Sequence, residues 1–163
     1  MRGIGSMAGA IGLALTPVAS LAATPESCAA PAPLAGGWEA WGRPAPLAAD
    51  GAIEVGGAVR LSLRPAAQVA FATPPGKSGG ADSFGGTAHF RIVRAGTYRI
   101  GLSAGAWIDV VAAGKPLAST AHGHGPECSG IRKIVDFALT PGDYVIQLAA
   151  SPLRQVTLLV IAE

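Results

Sequence analysis

Charged residues are scarce in this chain, at 13% of the sequence, and they nearly cancel to a formal net charge of +2 at pH 7. Proteins that bind nucleic acid usually carry a basic patch or stripe that contacts the phosphates. No stripe of lysine and arginine is visible along the sequence. The composition therefore indicates no strongly charged partner and argues against nucleic-acid binding.

Long hydrophobic runs are also missing. The most apolar stretch, Ile4 to Leu15, follows a positive charge at Arg2 and is interrupted by glycines. It is shorter than the roughly 20 apolar residues that span a bilayer. Small residues at Ser20 and Ala22 then suit a signal peptidase. This order predicts a signal peptide over residues 1–23 and a periplasmic or secreted mature protein with no membrane span.

No segment shows the apolar periodicity of a long helix, and 23 glycines and 13 prolines are dispersed through the chain. Apolar and polar residues instead alternate with a period of two, as in Val59–Arg64 and Gln68–Ala72. We expect about nine short strands that form an all-β, antiparallel, jelly-roll-like sandwich over residues 47–163. The preceding segment, residues 24–46, is rich in alanine and proline and is predicted to be an extended arm.

Only two cysteines are present, Cys28 and Cys128, and both follow the predicted signal peptide. An oxidising compartment favours their pairing, although two unpaired thiols are the alternative. A bridge between them would close most of the mature chain into one loop. In the chain-entropy model such a bridge contributes about 4–5 kcal/mol to the free energy of unfolding.

Histidines are few as well, and two of the three lie in one loop. His122 and His124 are two positions apart, so they share one side of an extended chain. Glu127 follows them, and His89 is the third histidine. Imidazole and carboxylate groups bind transition metals such as Fe, Cu and Zn. The pattern predicts a metal site of His122, His124 and either Glu127 or His89; the alternative is a solvated polar loop held by Cys128.

Three tryptophans stand out among the aromatic residues. Trp38, Trp41 and Trp107 could form a platform for a sugar or an aromatic ligand, because indole faces stack well on such rings. The alternative, which we favour, is that the N-terminal arm lays Trp38 and Trp41 over an open end of the sandwich.

Two segments share one sequence pattern. Phe90 to Ile100 and Phe137 to Ile146 both read as a strand, a glycine turn and a tyrosine that opens the next strand. The pattern resembles the hairpins of jelly-roll modules such as carbohydrate-binding modules and bacterial pre-peptidase C-terminal domains. This resemblance implies a fold, and a fold alone does not specify a function.

Other segments carry a second resemblance. They are residues 38–41, 105–111, 119–126 and 135–142. Together they are similar to a group of short exported proteins often labelled homogentisate 1,2-dioxygenase. The established enzymes of that name are much longer iron-dependent cupins, and the resemblance implies Fe(II)-dependent cleavage of an aromatic ring.

The histidine loop also resembles the first half of a cupin metal motif, with His122-x-His124 followed by Glu127. On that resemblance the three residues would be the iron ligands of a dioxygenase. No histidine follows His124, however, whereas cupins supply a late one. We therefore expect a non-catalytic periplasmic binding or accessory protein whose ligand is a small molecule, a glycan or another protein. The iron-dependent dioxygenase is the alternative.

Overall fold

Two six-stranded sheets pack into a β-sandwich, in a computed structural model that describes residue 28 and residues 30–163. The prediction of an all-β sandwich is confirmed. The predicted signal peptide, residues 1–23, lies outside the described residues. The twelve strands, β1 to β12 in chain order, are Ala45–Leu47, Gly51–Ile53, Ala58–Ser62, Arg64–Pro65, Phe84–Ile92, Gly96–Leu102, Trp107–Ala112, Lys115–Pro116, Ala121–Gly123, Lys133–Leu139, Gly142–Ser151 and Gln155–Ala162.

The first sheet has the order β1-β3-β12-β6-β10-β9, and the second has the order β2-β5-β11-β7-β8 with β4 paired to β5. The strand count exceeds the expected nine because five strands have only two or three residues, which is too short to show a period of two. The sheets are also mixed rather than purely antiparallel, because β1 runs parallel to β3 and β2 runs parallel to β5.

One predicted strand, Gln68–Ala72, is wrong. Ala66–Gln68 forms a short 3-10 turn, and the chain then runs as a loop to Phe84. Thr73 in this loop exchanges hydrogen bonds with the buried side chain of Gln147 in β11, at 3.1 and 3.2 Å. The loop is therefore attached to the second sheet through side chains rather than through strand pairing.

The two similar segments, Phe90 to Ile100 and Phe137 to Ile146, each cross from one sheet to the other instead of forming a hairpin within one sheet. The chain passes from β5 in the second sheet to β6 in the first, and from β10 in the first to β11 in the second. Tyr98 and Tyr144 each donate a hydrogen bond of 2.8 Å to the carbonyl four residues earlier, that of Arg94 or Thr140. Each tyrosine thus closes the turn by which the chain changes sheet.

Residues that alternate along the long strands fill the space between the sheets. Ile100 and Leu102 of β6, Ile146 and Leu148 of β11 and Leu158 of β12 are all fully buried in one core cluster. Alternate positions of a strand face opposite sides of a sheet. The period of two in the sequence therefore describes a genuine inner face.

A second, smaller core lies outside the sandwich, on the outer face of the first sheet. Trp38 and Trp41 of the N-terminal arm are buried there with Leu159 and Ile161 of β12. The arm therefore covers the face of a sheet and not an open end of the sandwich. The six-membered ring of Trp38 fits over Gly101, because a Cβ at this position would lie 2.9 Å from its Cη2 atom.

The predicted disulfide is confirmed. Cys28 and Cys128 are joined, with 5.5 Å between their Cα atoms. The backbone amide of Ala32 also donates to the carbonyl of Cys128 at 3.0 Å. The bridge thus fastens the start of the described arm beside the edge of the first sheet. No helix in the described part of the chain has the length and apolar character needed to cross a membrane.

We predict that Gly101→Ala loosens the arm, because the added methyl group collides with Trp38. Overpacking of a filled core site costs about 1–3 kcal/mol. Thermal unfolding should show a lower midpoint, and limited proteolysis should show faster cleavage in the arm. Gly42→Ala is the matched control, since a Cβ there meets no atom within 4 Å. Equal midpoints for the two variants would contradict the assigned packing.

We also predict that the double variant Cys28→Ser/Cys128→Ser unfolds more easily. The bridge spans a sequence separation of 100 residues, so its loss frees a large loop in the unfolded chain. The expected loss is about 4 kcal/mol in the free energy of unfolding. Urea denaturation of the wild-type and variant proteins measures it. Superimposable curves would show that the bridge contributes nothing to stability.

Candidate functional site

The histidine loop contains a strand that the sequence did not predict. His122 lies in β9, opposite Val135 of β10, and its side chain is exposed. His124 follows the strand, with its Nδ1 atom 2.9 Å from the backbone oxygen of Arg132. Glu127 is exposed in the turn before Cys128. The loop is thus partly ordered by strand pairing and by the disulfide.

His89 lies apart from this loop, in β5 of the other sheet. It lines a cavity of about 380 Å³ on the outer face of that sheet, next to an exposed ion pair of 2.7 Å between Arg91 and Asp143. Within residues 28 and 30–163, no three His, Cys, Asp or Glu side chains are close enough to hold one metal ion. The predicted ligands are not brought together here, and metal binding stays a prediction.

The three tryptophans have different environments. Trp38 and Trp41 are core residues, with 6% and 7% of their surface exposed, and their rings meet edge-on at 6.4 Å. Trp107 retains 37% exposure at the start of β7. Of the predicted stacking residues, Trp107 therefore has a ring that a ligand can reach.

The indole of Trp107 is held in place by two contacts. Its Nε1 donates a hydrogen bond of 2.9 Å to Oδ1 of Asp109, and Oδ2 of Asp109 accepts one of 3.1 Å from the amide of Gly76. Gly76 also lies against the ring, since a Cβ there would come within 2.8 to 3.0 Å of three indole atoms. The ring is therefore fixed before any ligand arrives, which lowers the entropy lost on binding.

Two cavities meet at Trp107. The first, of about 470 Å³, opens between the edges of the two sheets, and His122, Ser119 and Lys133 line it together with apolar core residues. The second, of about 490 Å³, lies at the end of the sandwich and is lined by Lys77 and also by Lys133. Trp107 and Lys133 belong to both. The fold thus brings an exposed aromatic ring, two lysines and a histidine to two cavities that share Trp107 and Lys133, and we call the two cavities together the groove.

Lys133 connects the parts of this groove. Its Nζ atom donates to the carbonyl of Ala106 at 3.1 Å and lies 5.6 Å from the centre of the Trp107 ring. Partial burial lowers the pKa of Lys133, and the nearby charge of Lys77 lowers it further. The carboxylate of Asp109 acts in the opposite direction, and its effect is the smallest of the three.

Sequence reasoning named Trp107 and His122 but missed Asp109, Gly76 and the two lysines of the groove. Asp109 could have been predicted from the sequence, because it lies two positions after Trp107 in a predicted strand and so on the same face of the sheet. Lys77 and Lys133 could not have been predicted as neighbours, since they lie in distant segments that only the folded chain brings together.

No protein-family model matches the chain. No significantly similar protein was found among the curated proteins.

We predict that Lys133 loses its proton at a lower pH than an ordinary lysine does, because its charged form is partly desolvated and faces Lys77. Nuclear magnetic resonance of protein labelled with ¹³C-lysine measures the midpoint. Lys77→Met should raise the midpoint, because it removes a like charge. Asp109→Asn should lower it, because it removes an opposite charge. A wild-type midpoint at or above the ordinary lysine value would contradict the assigned environment.

Proposed function

We propose that this protein is an exported, non-catalytic binding module that stacks a saccharide ring on Trp107. The observation that carries the proposal is the immobilised, accessible indole where two cavities meet. Tryptophan combines a large apolar face with a polar edge, which suits ligands that have both kinds of surface. A sugar ring has such surfaces, with C–H groups on its faces and hydroxyl groups around its rim.

Polar groups near Trp107 have the right chemistry for those hydroxyls. The carboxylate of Asp109 accepts two hydrogen bonds from the protein, and a carboxylate has about four acceptor sites, so it can accept more. Ser119, His122 and Lys133 line the adjoining cavity and offer a hydroxyl, an imidazole and an ammonium group. Ligand sites commonly combine apolar walls with a few such polar groups.

Export is part of the proposal. The Cys28–Cys128 disulfide supports it, since such bridges persist mainly in oxidising compartments. The predicted signal peptide and the resemblance to short exported proteins point the same way. A periplasmic or secreted module of this kind would meet glycans of the cell envelope or its surroundings.

The dioxygenase alternative has less geometric support. An iron site of the required kind needs two histidines and a carboxylate around one ion. His89 lies on the other sheet from His122, and within residues 28 and 30–163 no three His, Cys, Asp or Glu side chains are close enough to hold one ion. The described residues therefore do not fit a three-ligand iron site, and we derive no catalytic step.

The decisive test is binding of the purified mature protein to a panel of neutral and acidic polysaccharides in affinity electrophoresis. Trp107→Ala should weaken binding at least tenfold, which corresponds to about 1.4 kcal/mol and lies within the range of aromatic stacking. Val93→Ala is the matched control, because Val93 is 76% exposed in the turn before β6, whereas Trp107 follows β6 at its other end. The proposal would be overturned if no polysaccharide retarded the wild-type protein. It would also be overturned if Trp107→Ala and Val93→Ala were retarded equally.

A further inference from the structure

The second cavity beside Trp107 contains two positive charges that no carboxylate neutralises at close range. Lys77 and Lys133 both line it. The ion pairs found within 4.0 Å in the described part of the chain are Arg91–Asp143 and Arg99–Asp136, and neither includes these lysines. The two lysines therefore line one open space together.

Nearby acidic groups only partly offset these charges. Asp109 keeps its charge while it accepts hydrogen bonds from Trp107 and the amide of Gly76, but it lines the adjoining cavity and not this one. Asp82 lines the same cavity as the lysines, but its side chain is exposed and forms no ion pair with either of them. The charged side chains that line this cavity are therefore two cations and one exposed carboxylate, a local excess of one positive charge.

We propose that this cavity is the subsite for an anionic group, a carboxylate or a sulfate, carried by the saccharide that stacks on Trp107. The inference rests on the proposed function and specifies its ligand class as acidic saccharides. Lys133 lies close to the ring of Trp107 and borders both cavities, so a sugar on the indole would have its substituents within reach of that ammonium group. Lys77 extends the same positive surface toward solvent.

An anion between the two lysines removes a repulsion that the free protein tolerates. Like charges in one site disfavour each other, and a bound anion converts that repulsion into two attractions. Hydrogen bonds between charged partners are also about twice as strong as neutral ones. The ligand therefore gains affinity from a feature that costs the unliganded protein stability.

Affinity electrophoresis with defined polysaccharides tests the inference. Polygalacturonate supplies carboxylates, dextran sulfate supplies sulfates, and methyl-esterified pectin and dextran are the neutral counterparts. We expect retardation by at least one acidic polymer and at least tenfold weaker binding to its neutral counterpart. Comparison of binding to polygalacturonate with binding to dextran sulfate shows whether the anionic group is a carboxylate or a sulfate.

Variants that change the charge of the cavity test whether its lysines cause the preference for the acidic polysaccharide. Lys77→Met should weaken binding to the acidic polymer about tenfold without a folding defect, because Lys77 is exposed. Lys115→Met is the matched control, since it makes the same change in net charge in β8, away from the cavity. Asp82→Asn should strengthen binding. Salt near 1 M, where the Debye length is about 3 Å, should weaken it.

The outcomes separate this inference from the proposed function. Trp107-dependent binding that is equal for acidic and neutral polymers, or that is equally affected by Lys77→Met and Lys115→Met, would overturn the anionic subsite and leave the binding module standing. Binding that does not depend on Trp107 would overturn both.

Discussion

The arrangement of this molecule depends on one constraint: its long consecutive strands change sheet at nearly every turn. β5 and β6, β6 and β7, β10 and β11, and β11 and β12 each lie in different sheets. Packed sheets are about 10 Å apart, so every crossing needs a connection that leaves one sheet and enters the other. Burial of apolar side chains between the sheets supplies the main stabilisation, and the crossings make each sheet depend on the other. Tyr98 and Tyr144 close two of these connections by the same hydrogen bond.

The groove is a consequence of the same crossings. The β6–β7 and β11–β12 turns meet at one end of the sandwich, and the loop before β5 packs against them. Gly79 in that loop has a φ of +76°, and a Cβ there would lie 2.7 Å from the Cα of Ala150, so the loop fits closely against β11. The β11–β5 pairing shifts register between Leu148 and Ser151, as expected where a bulge ends regular pairing. Irregular backbone at the strand ends therefore borders the cavity that Trp107 lines.

The fold was predictable from the sequence where a period of two persists over five or more residues, as in β5, β6 and β11. Short strands such as β9 were not, because three residues show no periodicity. The crossings were not predictable either, since a strand, a glycine turn and a tyrosine look the same whether the next strand joins the same sheet or the other. The site was predictable only in part. Trp107 could be named as an exposed aromatic, but Lys77 and Lys133 meet only through tertiary structure.

The scarcity of charge in this chain makes the two lysines of the groove more important. In a protein with many charges, the field at one cavity is a sum over a crowded surface, and two lysines would count for little. Here charged residues are 13% of the chain and the net charge is +2, so few other charges cancel or mask the pair. Lys133 is also partly desolvated, and at low dielectric a charge acts more strongly on what lies beside it. A small number of charges, one of them partly desolvated, can therefore favour one class of ligand in an otherwise nearly neutral protein.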